Sequence, residues 1–138
     1  MADFKLKTVY AKGAPLKTLA KASATVIEAG DMVELASGLA IKATATSAAI
    51  AFSPSGAPAG VTTVQVLNDP DAEFLGTADA NFAVANRGTE VDLVVNTNAQ
   101  EIDVGASTTD VLKVDVSKDA GTVGAKTNVV VRINKFMY

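Results

Sequence analysis

ATVIEAGDMVELASGLAIKATA, residues 24–45, consists of short apolar runs separated by residues that favour tight turns. The turn residues are Gly30-Asp31 and Ser37-Gly38, with apolar residues on both sides of each pair. Gly30 can adopt a positive φ without a Cβ clash, and Asp31 can hydrogen-bond to nearby backbone. The order strand, turn, strand, turn, strand therefore predicts that a β domain begins at about residue 24.

The remainder of the chain continues this pattern to its end. The last run places Val129, Val131 and Ile133 on one face and Arg132 and Asn134 on the other. Alternation of this kind is typical of antiparallel strands with one face in water. We expect about nine to eleven strands in an all-β fold, a small single-domain β-barrel or β-sandwich that is jelly-roll-like or related.

Residues 1–23 differ from this domain, which spans 24–138, and predict an extended N-terminal arm. Residues 16–21 are too short for a stable helix and suggest at most a helical turn. Residues 1–21 carry five Lys and one Asp, a net +4, whereas residues 22–138 carry seven basic and fourteen acidic residues, a net −7. A basic arm on an acidic body suits docking on an acidic surface, and a solvated tail is the alternative. The inferred partner contacts in the arm are Phe4, Lys5, Leu6, Lys7, Tyr10, Lys12 and Lys17.

The composition argues against an enzyme. The chain has no His and no Cys, so the usual general base near neutral pH and thiol chemistry are both missing. None of the common nucleotide, zinc-protease or redox motifs is present. Asp69, Asp71 and Glu73 have a spacing that suggests calcium, but the full twelve-residue ligand pattern is missing, so a turn with solvated acids is expected. We expect no catalytic, cofactor or metal site.

Charge and hydropathy also limit the partners. An acidic body repels phosphate, so nucleic acid is not expected to bind. No apolar stretch reaches the roughly 18 residues that cross a bilayer, so no membrane association is expected. The first ten residues lack the apolar run of a secretory signal, which predicts synthesis in the cytoplasm.

The apolar residues are mostly small. Ala occurs 25 times and Val 18 times, and Trp is absent. Because burial stabilises by about 25 cal/mol per Å², small side chains predict a thin core that a subunit interface would supplement. The apolar C-terminal tail, whose alternative is to tuck into its own domain, is inferred to contact another subunit through Phe136, Met137 and Tyr138.

The two turns Ala29-Gly30-Asp31 and Ser37-Gly38, each flanked by apolar strands, resemble those of the decoration or cement proteins of tailed-bacteriophage heads. The Ala-, Val- and Thr-rich strands and the N-terminal arm are similar in style. The resemblance implies a structural virion protein, made in the host cytoplasm, that binds the outer surface of the head. It also implies bridging of major capsid protein subunits, resistance to internal DNA pressure, and a homotrimer or homodimer. The alternative is another structural β module, such as a tail or fibre subunit or an adhesin domain.

Overall fold

The computed structural model describes residues 4–7, 15–97 and 99–137. The described residues contain a single 3-10 turn at Val84–Asn86 and no α-helix, so no helix among them could span a membrane. The predicted all-β fold is confirmed. The strands in this part of the chain are β1 (Phe4–Leu6), β2 (Leu16–Ala20), β3 (Met32–Ala36), β4 (Leu39–Lys42), β5 (Ala51–Phe52), β6 (Thr63–Leu67), β7 (Glu73–Thr77), β8 (Glu90–Asn96), β9 (Ala99–Asp103), β10 (Leu112–Val114) and β11 (Asn128–Ile133).

The largest sheet has six antiparallel strands in the order β1-β7-β11-β10-β8-β9. It curls into a half-barrel, and β9 meets the end of β7 through an isolated bridge between Ala78 and Ile102. Val129, Val131 and Ile133 of β11 are buried on the concave side, as their alternation predicts. The larger core fills this half-barrel, and its largest fully buried side chains include Phe4, Phe74, Phe82, Met32, Ile50, Leu93, Ile102 and Leu112.

A second, smaller core lies between the two remaining sheets. One of these sheets pairs β2 with β6, and the other has the order β4-β3-β5. Most members of this core are small, which agrees with the thin core expected from the composition. They are Ile27, Val33, Ala40, Ala51, Ala57, Val64 and Val66.

One buried amide joins the half-barrel to the three-stranded sheet. The side chain of Gln100 on β9 is 1% exposed. Its Oε1 accepts the N–H of Met32 at 2.8 Å, and its Nε2 donates to the carbonyl oxygens of Met32 at 2.8 Å and Ala43 at 2.9 Å. The amide thus binds the backbone of both Met32, at the start of β3, and Ala43, just after β4. Phe136 contributes a second link, because it packs against both cores.

The turns predicted in residues 24–45 form as expected. Ser37 and Gly38 have φ values of 52° and 81°, the two positive angles that a two-residue type I′ hairpin requires between β3 and β4. Gly30 has a φ of 95°, and Asp31 Oδ2 accepts the N–H of Glu28 at 2.9 Å. The local chemistry of these residues is therefore sufficient to set the first turns of the domain.

The described parts of the predicted N-terminal arm are paired into the sheets, since β1 pairs with β7 and β2 pairs with β6. Residues 16–20 are a strand and not a helical turn, because pairing with β6 over five residues outweighs a weak local helical preference. The physical boundary of the domain therefore does not lie at residue 24.

Candidate interaction surface

Three of the lysines inferred to contact a partner are exposed on ordered backbone. Lys5 stands opposite Leu75 in β1, and Lys17 lies in β2. The backbone N–H of Lys7 donates to the carbonyl oxygen of Glu73 at 2.8 Å. The structure therefore presents Lys5 and Lys17 from strands and Lys7 from backbone that is hydrogen-bonded to β7, while Tyr10 and Lys12 lie outside the described residues.

Phe4 is in the core and not on the surface. Its side chain is 2% exposed, and its N–H donates to the carbonyl oxygen of Gly30 at 3.0 Å. The ring lies over Gly76, where a Cβ would come within 2.5 Å of Cε1 of Phe4. The inferred partner contact at Phe4 is thus corrected, because its ring has no surface left for a partner. The backbone of Leu6 pairs with Phe74 in the same ladder.

The C-terminal tail folds back on its own chain. The N–H of Met137 donates to the carbonyl oxygen of Ile50 at 3.2 Å, and the N–H of Ile50 donates to the carbonyl oxygen of Lys135 at 3.0 Å. Phe136 and Met137 are half-buried. This is the tucked-in arrangement that the sequence left as the alternative, and a subunit contact through the remaining exposed surface stays a prediction. Tyr138 lies outside the described residues.

The convex face of the half-barrel carries a row of four charged residues in register across four strands. Glu73 pairs with Arg132, Arg132 with Lys113, and Lys113 with Glu90. A cleft of about 240 Å³ at this row is also lined by Asp71, Asp115 and Val116. The like charges of Arg132 and Lys113, which lie directly opposite each other, would destabilise the sheet alone. Glu73 beside Arg132 and Glu90 beside Lys113 compensate them. The row is balanced and does not favour an anionic ligand.

Three exposed valines, which the sequence analysis missed, lie on neighbouring loops at one end of the half-barrel. Val84, Val116 and Val123 are 58%, 73% and 50% exposed. Their loops are tied together by a bridge between Phe82 and Val123 and by a hydrogen bond from the N–H of Gly88 to the carbonyl oxygen of Asp115 at 3.2 Å. We name Val84, Val116 and Val123 the valine patch. Its members are separated in sequence, so only the folded chain brings their loops together.

Asp92 on β8 is a buried acid, since its side chain is only 6% exposed. Its Oδ1 accepts the N–H groups of Thr108, Thr109 and Asp110 at 2.9, 2.8 and 2.9 Å. Burial alone raises the pKa of Asp92, but these backbone donors outweigh burial and hold the pKa below its usual range. The carboxylate fixes the loop between β9 and β10.

We expect Asp92→Asn to lower the free energy of unfolding by about 1–3 kcal/mol at pH 7, because a neutral amide accepts weaker bonds and turns an NH₂ group toward a backbone donor. A lowered pKa contributes stability above the pKa of the unfolded state, and that stability is lost as the pH falls. The difference between Asp92→Asn and the native protein should therefore shrink below about pH 4. Urea denaturation across this pH range measures it, and Asp119→Asn in an exposed turn is the control. Equal losses in the two variants would contradict the role of Asp92.

The acid triplet at residues 69–73 forms a capped turn. Asp69 Oδ1 accepts the N–H of Asp71 at 2.9 Å, a local bond that favours this turn. Among the described residues, no group of three or more His, Cys, Asp or Glu side chains could hold a metal ion. The turn forms as predicted, but of its three acids only Asp71 is exposed, whereas Asp69 and Glu73 are half-buried and Glu73 begins β7.

Comparisons with known proteins give no relative for this chain: no family model matches the sequence, and a search of curated proteins found no significant match. The functional interpretation therefore rests on the residues and on the surfaces described above.

Proposed function

We propose that the protein is a structural virion protein that binds the outer surface of a phage head, bridges major capsid subunits and stabilises the capsid against internal DNA pressure. The observation that carries the proposal is the presentation of Lys5, Lys7 and Lys17 to solvent from hydrogen-bonded backbone, on a chain whose other residues carry a net negative charge. The resemblance in residues 24–45 supports it.

Ordered backbone lowers the entropy cost of binding a partner through these lysines. Lysines on a loose tail lose backbone and side-chain freedom when a partner orders them, at a cost of roughly 1–2 kcal/mol for each backbone residue. Lys5 and Lys17 lie on strands, so much of that cost is met during folding. An acidic surface on the major capsid protein is the proposed partner, and long-range attraction would speed its encounter with the lysines.

The proposed assembly is a homo-oligomer on the capsid, a trimer or a dimer. The second core consists mostly of Ala and Val, and the valine patch leaves three apolar side chains in water. A contact between subunits, or with the capsid, would cover the patch and add buried apolar area. Sedimentation of the free protein and of capsid-bound material measures the subunit number, and a monomer in both would contradict self-association.

Changing Lys5, Lys7 and Lys17 together to Gln is expected to weaken attachment to expanded heads about tenfold at low salt, with a smaller effect at high salt. Each exposed ion pair is worth about 0–1 kcal/mol, so three of them account for a change of this size. Salt weakens exposed ion pairs, and it screens the attraction between charges that are further apart than the Debye length of about 10 Å at 0.1 M ionic strength. Co-sedimentation with heads that lack decoration, over a range of salt concentrations, measures the change.

A matched control removes the same charge elsewhere. Lys118, Lys126 and Lys135 are exposed, and their change to Gln lowers the net charge equally. Equal binding by both triple variants would show that net charge and not this surface governs attachment. Failure of the native protein to bind heads, combined with binding to tails or fibres, would replace the proposal with the fibre-subunit alternative.

A further inference from the structure

The half-barrel closes on itself at one short seam, where the end of β7 meets β9. Ala78 and Ile102 form an isolated parallel bridge, and the N–H of Asp79 donates to the carbonyl oxygen of Ile102 at 2.9 Å. The other neighbours in this sheet pair through longer antiparallel ladders, such as the five residues that join β8 to β9. The seam is therefore the weakest junction of the half-barrel, and the bridge places Asp79 next to Asp103.

Backbone groups of one turn anchor both carboxyl groups. Asp79 Oδ1 accepts the N–H of Val104 at 3.2 Å, and Asp103 Oδ1 accepts the N–H of Gly105 at 3.3 Å. Both side chains are half-buried, and a hydrogen bond to Asp103 is among the causes that raise the pKa of Asp79. A hydrogen bond between two carboxyl groups requires a proton on one of them, because ionised carboxylates only accept. Burial, followed by the charge of Asp103, raises the pKa of Asp79 above the usual range.

The surroundings of the pair supply no compensating cation. Within the described ranges, no ion pair involves Asp79 or Asp103. From β8, Asp92 stands opposite Asp103, but its carboxylate is bound by the amides of residues 108–110. Glu101 of β9 accepts a hydrogen bond from Asn96, and Asn86 donates to the carbonyl oxygen of Val104. Lys126 and Arg87 lie on the loops that bond to Ala78 and Val104 but form no ion pair with either carboxylate, so two ionised carboxylates at the seam would repel each other.

We propose that Asp79 and Asp103 form a proton-operated clasp, in which one shared proton closes the seam and loss of that proton loosens it. A carboxyl group whose pKa is raised by folding contributes stability that is fully present below its unfolded pKa and is lost as the pH rises through its folded pKa. The clasp is therefore tightest in mild acid and weaker near neutrality. Asp92 has the opposite dependence, so the fold is most stable between the two transitions.

Asp79→Asn tests the clasp, because an amide can accept from the N–H of Val104 and donate to Asp103 at every pH. The variant is expected to show a higher urea midpoint than the native protein at pH 7, and this gain should disappear as the pH approaches 4. Asp119→Asn removes the same charge from an exposed turn and controls for relief of the net charge of −3. A gain at pH 7 no larger than that of Asp119→Asn, or a gain that persists in acid, would overturn the proposal.

A site-specific measurement does not depend on the stability of the Asn variant. Carboxyl ¹³C shifts of the native protein should show the Asp79 side chain titrating above the usual pKa range of an aspartate. In Asp103→Asn the Asp79 midpoint should move down, because the repelling charge is gone and an amide donor replaces it. An Asp79 midpoint within the usual range of an aspartate, or one that is unchanged by Asp103→Asn, would overturn the clasp.

Discussion

Gln100→Leu is expected to lower the free energy of unfolding by about 2–5 kcal/mol, one of the two largest effects of a single substitution that we predict. Leucine has a similar size, but it leaves the N–H of Met32 and the carbonyl oxygen of Ala43 buried without their partner. Each buried unsatisfied group costs about 1–3 kcal/mol. Chemical denaturation measures the loss, and hydrogen exchange should show that protection decreases first in β3 and β4.

Two further substitutions separate the hydrogen bonds of Gln100 from side-chain size. Gln65 lies on β6 with its side chain exposed, so Gln65→Leu should change stability by less than about 0.5 kcal/mol. Gln100→Glu keeps an acceptor for the N–H of Met32, and its protonated form in acid regains a donor. Its stability relative to the native protein should therefore improve as the pH falls. A Gln100→Leu protein as stable as Gln65→Leu would show that the amide does not hold the half-barrel and the three-stranded sheet together.

Gly76→Ala is expected to destabilise the protein by about 3 kcal/mol and to release β1 from the sheet. The added Cβ would lie 2.5 Å from Cε1 of Phe4 and 2.9 Å from Cδ1 of Ile102, distances that force the Phe4 ring to move. Overpacking costs about 1–3 kcal/mol, and expulsion of a buried Phe costs about 3–5 kcal/mol. Faster exchange of the Lys7 N–H, which donates to Glu73, would report the release.

The clash can be isolated with a double-mutant cycle. In a Phe4→Ala background the ring is absent, so Gly76→Ala should then cost less than about 1 kcal/mol or stabilise by filling space. Gly105→Ala is the matched control, since its Cβ would meet only Oδ1 of Asp103 at 4.0 Å. A full cost for Gly76→Ala in the Phe4→Ala background would mean that the strain lies in the backbone or against Cδ1 of Ile102, and not against the ring.

The position of Phe4 also decides how the proposed function is tested. Deletion of residues 2–21 would remove a core side chain and the whole of β2, so loss of capsid binding would not distinguish a missing contact from an unfolded protein. Lys5, Lys7 and Lys17 are exposed and can be changed singly or together without touching either core. Substitution is therefore a cleaner test than truncation.

Much of the all-β fold could be predicted because its signals are local. The two-residue turn at Ser37-Gly38 needs two positive φ angles, and alternation along β11 assigns Val129, Val131 and Ile133 to one face. These properties depend on residues that are neighbours in the chain. They can therefore be identified without knowledge of which strands will later pair.

The candidate sites could not be predicted in this way, because each is formed by residues that are far apart in the sequence. Gln100 binds Met32 across 68 residues, and Asp79 meets Asp103 only where β7 reaches β9. Phe4 fits the core because Gly76, 72 residues away in the sequence, has no side chain at the point of contact. Periodicity and composition established strands, turns and charge imbalance, since these arise from local sterics and residue type. Burial, strand partners and proton affinity came only from the tertiary structure, since they depend on which distant groups share a low-dielectric environment.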